Sequence, residues 1–161
     1  MKVVFLDVDG VLNSHRTCLA LGGIPSGLHP SAVFQLDHLA INMIREICIL
    51  AKAKIVLSST WRILRPFEEY AYEFNLPIFD RTAHGSQNGS LRGNEIEDWL
   101  NNHPEVLHYA IIDDDGDFLD YQKKYHVHTT HENGFLYEHA LQLAKILSVD
   151  PWDRPRVCLE K

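Results

Sequence analysis

This chain has little of what marks several protein classes. Cysteine is scarce: Cys18, Cys48 and Cys158, an odd number spread over 161 residues. Such spacing builds no disulfide framework and fits reduced thiols in a cytoplasmic protein. No apolar run reaches the ~20 residues needed to span a bilayer. Met1-Lys2-Val3-Val4 runs straight into an apolar strand pattern and leaves no room for a signal peptide. A basic excess is missing too: 15 Lys and Arg face 22 Asp and Glu, for a formal net charge of −7. Broad, non-specific nucleic-acid binding draws on Lys and Arg contacts to phosphates and is not expected. Capture of one phosphate in a local basic pocket stays open. There is no repeat, low-complexity tract or linker. What is there is an ordinary globular composition, long enough for one domain, 1–161, with a substantial core.

The chain alternates strand and helix patterns. Val3 to Leu6 reads as a buried parallel strand. Residues 13–30 read as a glycine- and proline-punctuated flap loop, and Ser31 to Lys52 as a helix with Leu36, Leu39, Ala40, Met43, Ile47, Leu50 and Ala51 as its apolar stripe. Lys54 to Leu57 is a second strand, Pro66 to Phe74 a helix and Leu76 to Phe79 a short strand. Gly93 to Asn101 follows as a helix, with Asn94 and Glu97 as a capping pair. Tyr109 to Ile112 and His126 to Thr129 are strands, and Leu136 to Leu147 is the last helix. The segment 150–161 reads as an irregular tail. This order predicts an α/β fold: a Rossmann-like parallel sheet of about five strands with helices on both faces.

In such sheets the functional crevice lies beyond the carboxyl ends of the strands. Three strands here end in polar groups: Asp7 and Asp9, Ser58 and Ser59, and Asp113 and Asp114. Two acids against the end of a core strand repel each other and lose hydration, a cost that suggests a compensating cation or a chemical task. Alternation along an extended segment turns Asp7 and Asp9 to one side and Val8 to the other. An acidic turn that merely caps the next element is the bland alternative.

These residues resemble the haloacid dehalogenase (HAD) superfamily of phosphohydrolases. Asp7-Val8-Asp9-Gly10-Val11 is similar to its first motif, Ile55-Val56-Leu57-Ser58 to its second, and Ile111-Ile112-Asp113-Asp114 to its fourth. The third motif is normally a lysine. Between Ser58 and Asp113 this chain has none, only Arg62, Arg65, Arg81 and Arg92. Arg92, at the start of the helix before the fourth motif, takes that place. Leu-Asp-Val-Asp-Gly-Val-Leu-Asn, Ser-Ser-Thr-Trp-Arg and Arg-Gly-Asn-Glu-Ile further resemble the HAD domains of Swiss Army Knife RNA repair proteins.

The resemblance implies a Mg²⁺-dependent phosphomonoester hydrolase working through an aspartyl-phosphate. A hard cation suits an all-oxygen site and offsets the repulsion between an anionic nucleophile and an anionic ester. Asp7 is then the nucleophile and Asp9 the general acid and base. Mg²⁺ is held by Asp7, the backbone carbonyl of Asp9, and Asp113, with Asp114 as a further ligand or the anchor of a bound water. Ser58 donates to a phosphate oxygen, with Ser59 as its rival, and Arg92 neutralises charge. Arg62 reads as holding a second substrate phosphate or pairing with a nearby acid. Asp115 and Asp117 read as solvated turn acids or as groups that support the ligands rather than as ligands, and Trp61 as core or cleft wall. His126, His128 and His131 match no specific zinc spacing.

Neither gap between motifs can hold a folded cap domain, so the site is expected to be open, with His15 and Arg16 in the 13–30 loop within reach of substrate. An open site suits a nucleotide or a polynucleotide end. It equally admits a small metabolite if subunits cap one another. A phosphate-binding regulatory module without turnover is the alternative from another class.

Overall fold

A computed structural model describes residues 1–24, 34–86, 89 and 91–153. Its centre is a five-stranded, all-parallel sheet in the order β3-β2-β1-β4-β5. The strands are β1 (Lys2–Leu6), β2 (Ala53–Leu57), β3 (Ile78–Arg81), β4 (His108–Asp113) and β5 (His126–His128). The helices are α1 (His15–Leu21), α2 (His38–Ala51), α3 (Phe67–Phe74), α4 (Arg92–Asn101) and α5 (Tyr137–Ile146). This is the expected Rossmann-like α/β architecture, and it carries no large cap among the described residues.

Two-residue alternation divides the sheet into two apolar faces. Val4, Leu6, Ile55, Leu57 and Ile112 pack with residues of α2, α3 and α5. Val3, Phe5, Val56 and Ile111 pack with Ile96 and Trp99 of α4 and with Phe118. The central strands are buried on both sides, so they read as continuous apolar runs.

Several local expectations shift. Helix α1 occupies part of the segment read as a loop. Its N-cap, Ser14, accepts a hydrogen bond from the Thr17 N–H. Residues 25–33 of that region, and 154–161 of the tail with Cys158, lie outside the described residues. Cys18 and Cys48 are free thiols. Helix α2 starts at His38, where the Asp37 carboxylate accepts from the Leu39 and Ala40 N–H groups. Its buried stripe is Ala40, Ile41, Ile44, Ile47, Cys48 and Ala51, while Leu39 is 67 % exposed. The helix is apolar around much of its circumference, so spacing alone does not choose the inward face; docking against the sheet and α5 does.

Strand β3 begins two residues late. Pro77 has no N–H to donate to the ladder and only accepts, from Ile55, at 2.9 Å. Asn94 does not cap α4: the N-cap is Leu91, which has no side-chain acceptor to offer. Asp117 Oδ2 instead accepts the Arg92 N–H at 3.0 Å. This loop sits tightly on the helix start. A Cβ on Gly93 would lie 2.7 Å from the Leu119 nitrogen, and buried Gln122 donates to the Gly93 carbonyl at 2.9 Å.

Candidate active site

Residues Asp7, Ser58 and Asp113 follow Phe5, Val56 and Ile111 by two positions, on the α4 face of the sheet. The ladder continues past the strand ends: the Asp7 N–H donates to the Ile112 carbonyl and the Ser58 N–H to that of Leu6, both at 3.0 Å. Asp7, Asp113 and Asp114 each bring a carboxylate oxygen within 4.8 Å of the other two. Among the described residues this is the one cluster with metal-ligand character.

Arg92 opens α4 on the same face. Its Nη1 donates to Asp7 Oδ1 at 3.2 Å and to the Ser58 carbonyl at 2.5 Å, and its Nε lies 3.2 Å from Asp113 Oδ2. Burial works against the guanidinium's charge, but Asp7 and Asp113 outweigh it and hold the group protonated. The acids pull the other way. Burial pushes the Asp7 carboxyl up to about 6, against the lowering influence of Arg92 and of a hydrogen bond from Ser59. Burial and the neighbouring Asp7 charge push Asp113 up to about 8. One arginine therefore does not fully offset two desolvated carboxylates.

Two further observations bear on a cation. Asp113 Oδ2 is buried and accepts no hydrogen bond from the described residues, its charged neighbour being Arg92 Nε, and the converging ligand atoms are all oxygens. A hard divalent ion such as Mg²⁺ fits this set. Gly10 makes the cluster possible. It has φ +69°, and a Cβ there would fall 2.2 Å from the Asp114 carboxyl carbon. Thr129 fixes the same turn by donating to the Gly10 carbonyl at 2.9 Å.

The serines divide the work. Ser59 bonds the Asp7 carboxylate and also accepts the Trp61 N–H as N-cap of a short 3₁₀ turn, Thr60–Ile63. The Ser58 hydroxyl is buried and has no hydrogen-bond partner among the described residues.

Asp9 stands beside the cluster, with one donor on each of its carboxylate oxygens. Asn13 Nδ2 donates to Oδ1 at 2.6 Å and Trp61 Nε1 to Oδ2 at 3.0 Å. Trp61 is thus more than cleft wall. The signal available in the sequence was its position two residues after Ser59, with Ser59 as a capping hydroxyl.

Two of the proposed substrate contacts, Arg62 and Arg16, are placed differently. Arg62 does not line the site. It is 3 % exposed and donates to the carbonyls of Ser58, Ser59, Thr82 and Ala83 and to Glu95 Oε2 at 2.6 Å. That network employs every N–H the guanidinium has and ties the end of β2 to α4. The reading of Arg62 as a phosphate ligand is therefore corrected to its alternative, a pairing with an acid. Arg16 points to Asp37 at 2.5 Å, where it braces the α2 cap. His15 does border the site: its ring meets His131 edge-on at 4.7 Å, and His131 Nδ1 lies 3.3 Å from Asp114 Oδ2. His126 and His128 bond the backbone carbonyls of Asp113 and Asp114 at 3.0 and 2.9 Å.

A family model described as the HAD domain in Swiss Army Knife RNA repair proteins matches residues 3–140. No curated protein and no solved structure matches the chain. No helix among the described residues is long and apolar enough to cross a membrane.

Proposed function

Since this chain belongs to the family of HAD domains in Swiss Army Knife RNA repair proteins, we propose that it is a Mg²⁺-dependent phosphomonoester hydrolase that works through an aspartyl-phosphate on Asp7. Membership itself supports a hydrolase of the phosphohydrolase type acting on a phosphorylated substrate. The observation that carries the aspartyl-phosphate reading is the convergence of Asp7, Asp113 and Asp114 within 4.8 Å, with Arg92 3.2 Å from both Asp7 and Asp113.

Asp7, Asp113, Asp114 and the Asp9 carbonyl would hold Mg²⁺, which when bound offsets the charge on the acids and on the phosphoryl oxygens. Asp7 attacks phosphorus, and the bond from phosphorus to the ester oxygen breaks. Asp9 gives its proton to the departing oxygen. Water then attacks the phosphoryl group, Asp9 takes a proton from that water, and inorganic phosphate leaves with Asp7 restored. The Ser58 hydroxyl, which has no partner among the described residues, donates to a phosphoryl oxygen, and Arg92 draws charge from the transferring group. Ser59 keeps the Asp7 carboxylate oriented, and His15 lies at the rim.

The substrate class we propose is a nucleotide or polynucleotide end. No large cap stands over the sheet edge among the described residues, which leaves room for phosphate on a large molecule, and the family is one of HAD domains in RNA repair proteins. The test is a screen of 3′- and 5′-phosphorylated oligonucleotides against free nucleotides and sugar phosphates, with and without Mg²⁺. Preference for oligonucleotide ends supports the substrate class; indifference to them removes it. Asp7→Asn is expected to abolish phosphate release with an unchanged circular dichroism spectrum. Turnover retained in that variant refutes the nucleophile assignment.

A further inference from the structure

The Asp9 carboxylate is held from two directions by groups that touch nothing else in the reaction. Asn13 closes the turn that follows β1. The Gly10 N–H points at its Oδ1, at 3.2 Å, which leaves the Nδ2 end facing Asp9 Oδ1 at 2.6 Å. The amide orientation is therefore set by the turn itself. On the other side Trp61 donates to Oδ2 at 3.0 Å. The indole reaches it from a buried position, with Ser59 capping its backbone and its ring packed against Tyr70 and Phe74 of α3, centroids 5.8 and 6.3 Å away. A short carboxylate side chain on a turn otherwise samples several rotamers and a rotating head group. With one donor on each oxygen, rotation about either bond breaks a hydrogen bond.

Resting on the reading of Asp9 as the acid and base, we propose that Trp61 and Asn13 are positioning residues that hold the Asp9 carboxylate in a single orientation for both proton transfers. One lone-pair direction on each oxygen stays open to the leaving group and to the attacking water. Neither Trp61 nor Asn13 is placed to bind the phosphate, so their loss acts on turnover rather than on substrate affinity. The arrangement also makes α3 part of the catalytic scaffold, because its aromatic side chains fix where the indole can sit.

The experiment uses Trp61→Phe, which keeps a ring against Tyr70 and Phe74 and deletes only the N–H, and Asn13→Ala, which removes the other donor without placing a second negative charge beside Asp9. Both are assayed beside the wild type with the best substrate of the screen. A hydrogen bond to a charged group is worth enough that Trp61→Phe is expected to lower kcat about tenfold or more, with KM within about twofold. In an Asp9→Asn background the same change is expected to have almost no further effect. A loss of general packing would multiply through that background instead. Nuclear magnetic resonance supplies a readout free of activity: the indole N–H resonance that disappears in Trp61→Phe is expected to move upfield in Asp9→Ala. If the wild type releases phosphate and both variants match its kcat, the positioning proposal alone falls. It falls also if the resonance ignores Asp9→Ala. A wild-type chain that releases no phosphate from any substrate overturns the catalytic reading and this proposal together.

Discussion

The guanidinium of Arg92 is the group on which the site's electrostatics turn, and Arg92→Ala tests that. Arg92 sits 3.2 Å from both Asp7 and Asp113, its side chain 15 % exposed. At an effective dielectric near 20, one such contact is worth about 5 kcal/mol of attraction. The two contacts do not simply add. Burial and mutual repulsion hold both carboxyls above their ordinary range, so at pH 7 the pair carries less than two full charges. The arginine's own desolvation offsets part of the remaining attraction, and breaking a buried pair typically costs about 3–5 kcal/mol. Taking about 3 kcal/mol, the midpoint of thermal unfolding should fall by roughly 10 °C. The loss should depend on pH. It grows toward pH 8.5, where both acids ionise beside the missing cation, and shrinks toward pH 4.5, where both are neutral. Differential scanning calorimetry in EDTA across that range measures it, and added Mg²⁺ should narrow the gap by replacing the lost positive charge. An Arg92→Ala protein that melts within ~2 °C of the wild type at every pH refutes this account of the site.

Asp113→Asn is expected to stabilise the metal-free protein above pH 6. The native carboxyl holds its proton up to about 8 while the unfolded one releases it near 3.8. Between those values the native state binds more protons, so wild-type stability falls as pH rises. The difference in melting temperature between variant and wild type should widen with pH in EDTA; a constant or shrinking difference contradicts the sign. Gly10→Ala should weaken Mg²⁺ binding about tenfold by isothermal titration while the far-ultraviolet spectrum stays native, since a Cβ there overlaps the Asp114 carboxyl. Unchanged affinity would mean that Asp114 does not help hold the ion. Glu95→Ala should cost about 3–5 kcal/mol in urea unfolding, because it strips buried Arg62 of its counter-charge. A cost below ~1 kcal/mol would undo the structural role given to Arg62.

What the sequence decided by itself is the frame and the sheet edge at which the acids gather. Continuous apolar runs such as Val3 to Leu6 can be satisfied only by burial on both faces, which means a parallel sheet covered by helices. A strand's carboxyl end has a fixed place in that fold, so Asp7, Ser58 and Asp113 share a rim wherever the rest of the chain goes. Partner choice is another matter, because it depends on which long side chains meet across elements. Arg62 and Arg92 look alike in the sequence, yet one is consumed by carbonyls and Glu95 and the other faces two carboxylates. Trp61 reads as core by composition, and only the packing of α3 aims its indole N–H at Asp9. Asp117 reads as a turn acid, and only the seating of its loop on Gly93 makes it the acceptor that opens α4. Local pattern fixes which face a backbone segment buries. The ends of long polar side chains are fixed by neighbours tens of residues away, and those become neighbours only once the chain has closed.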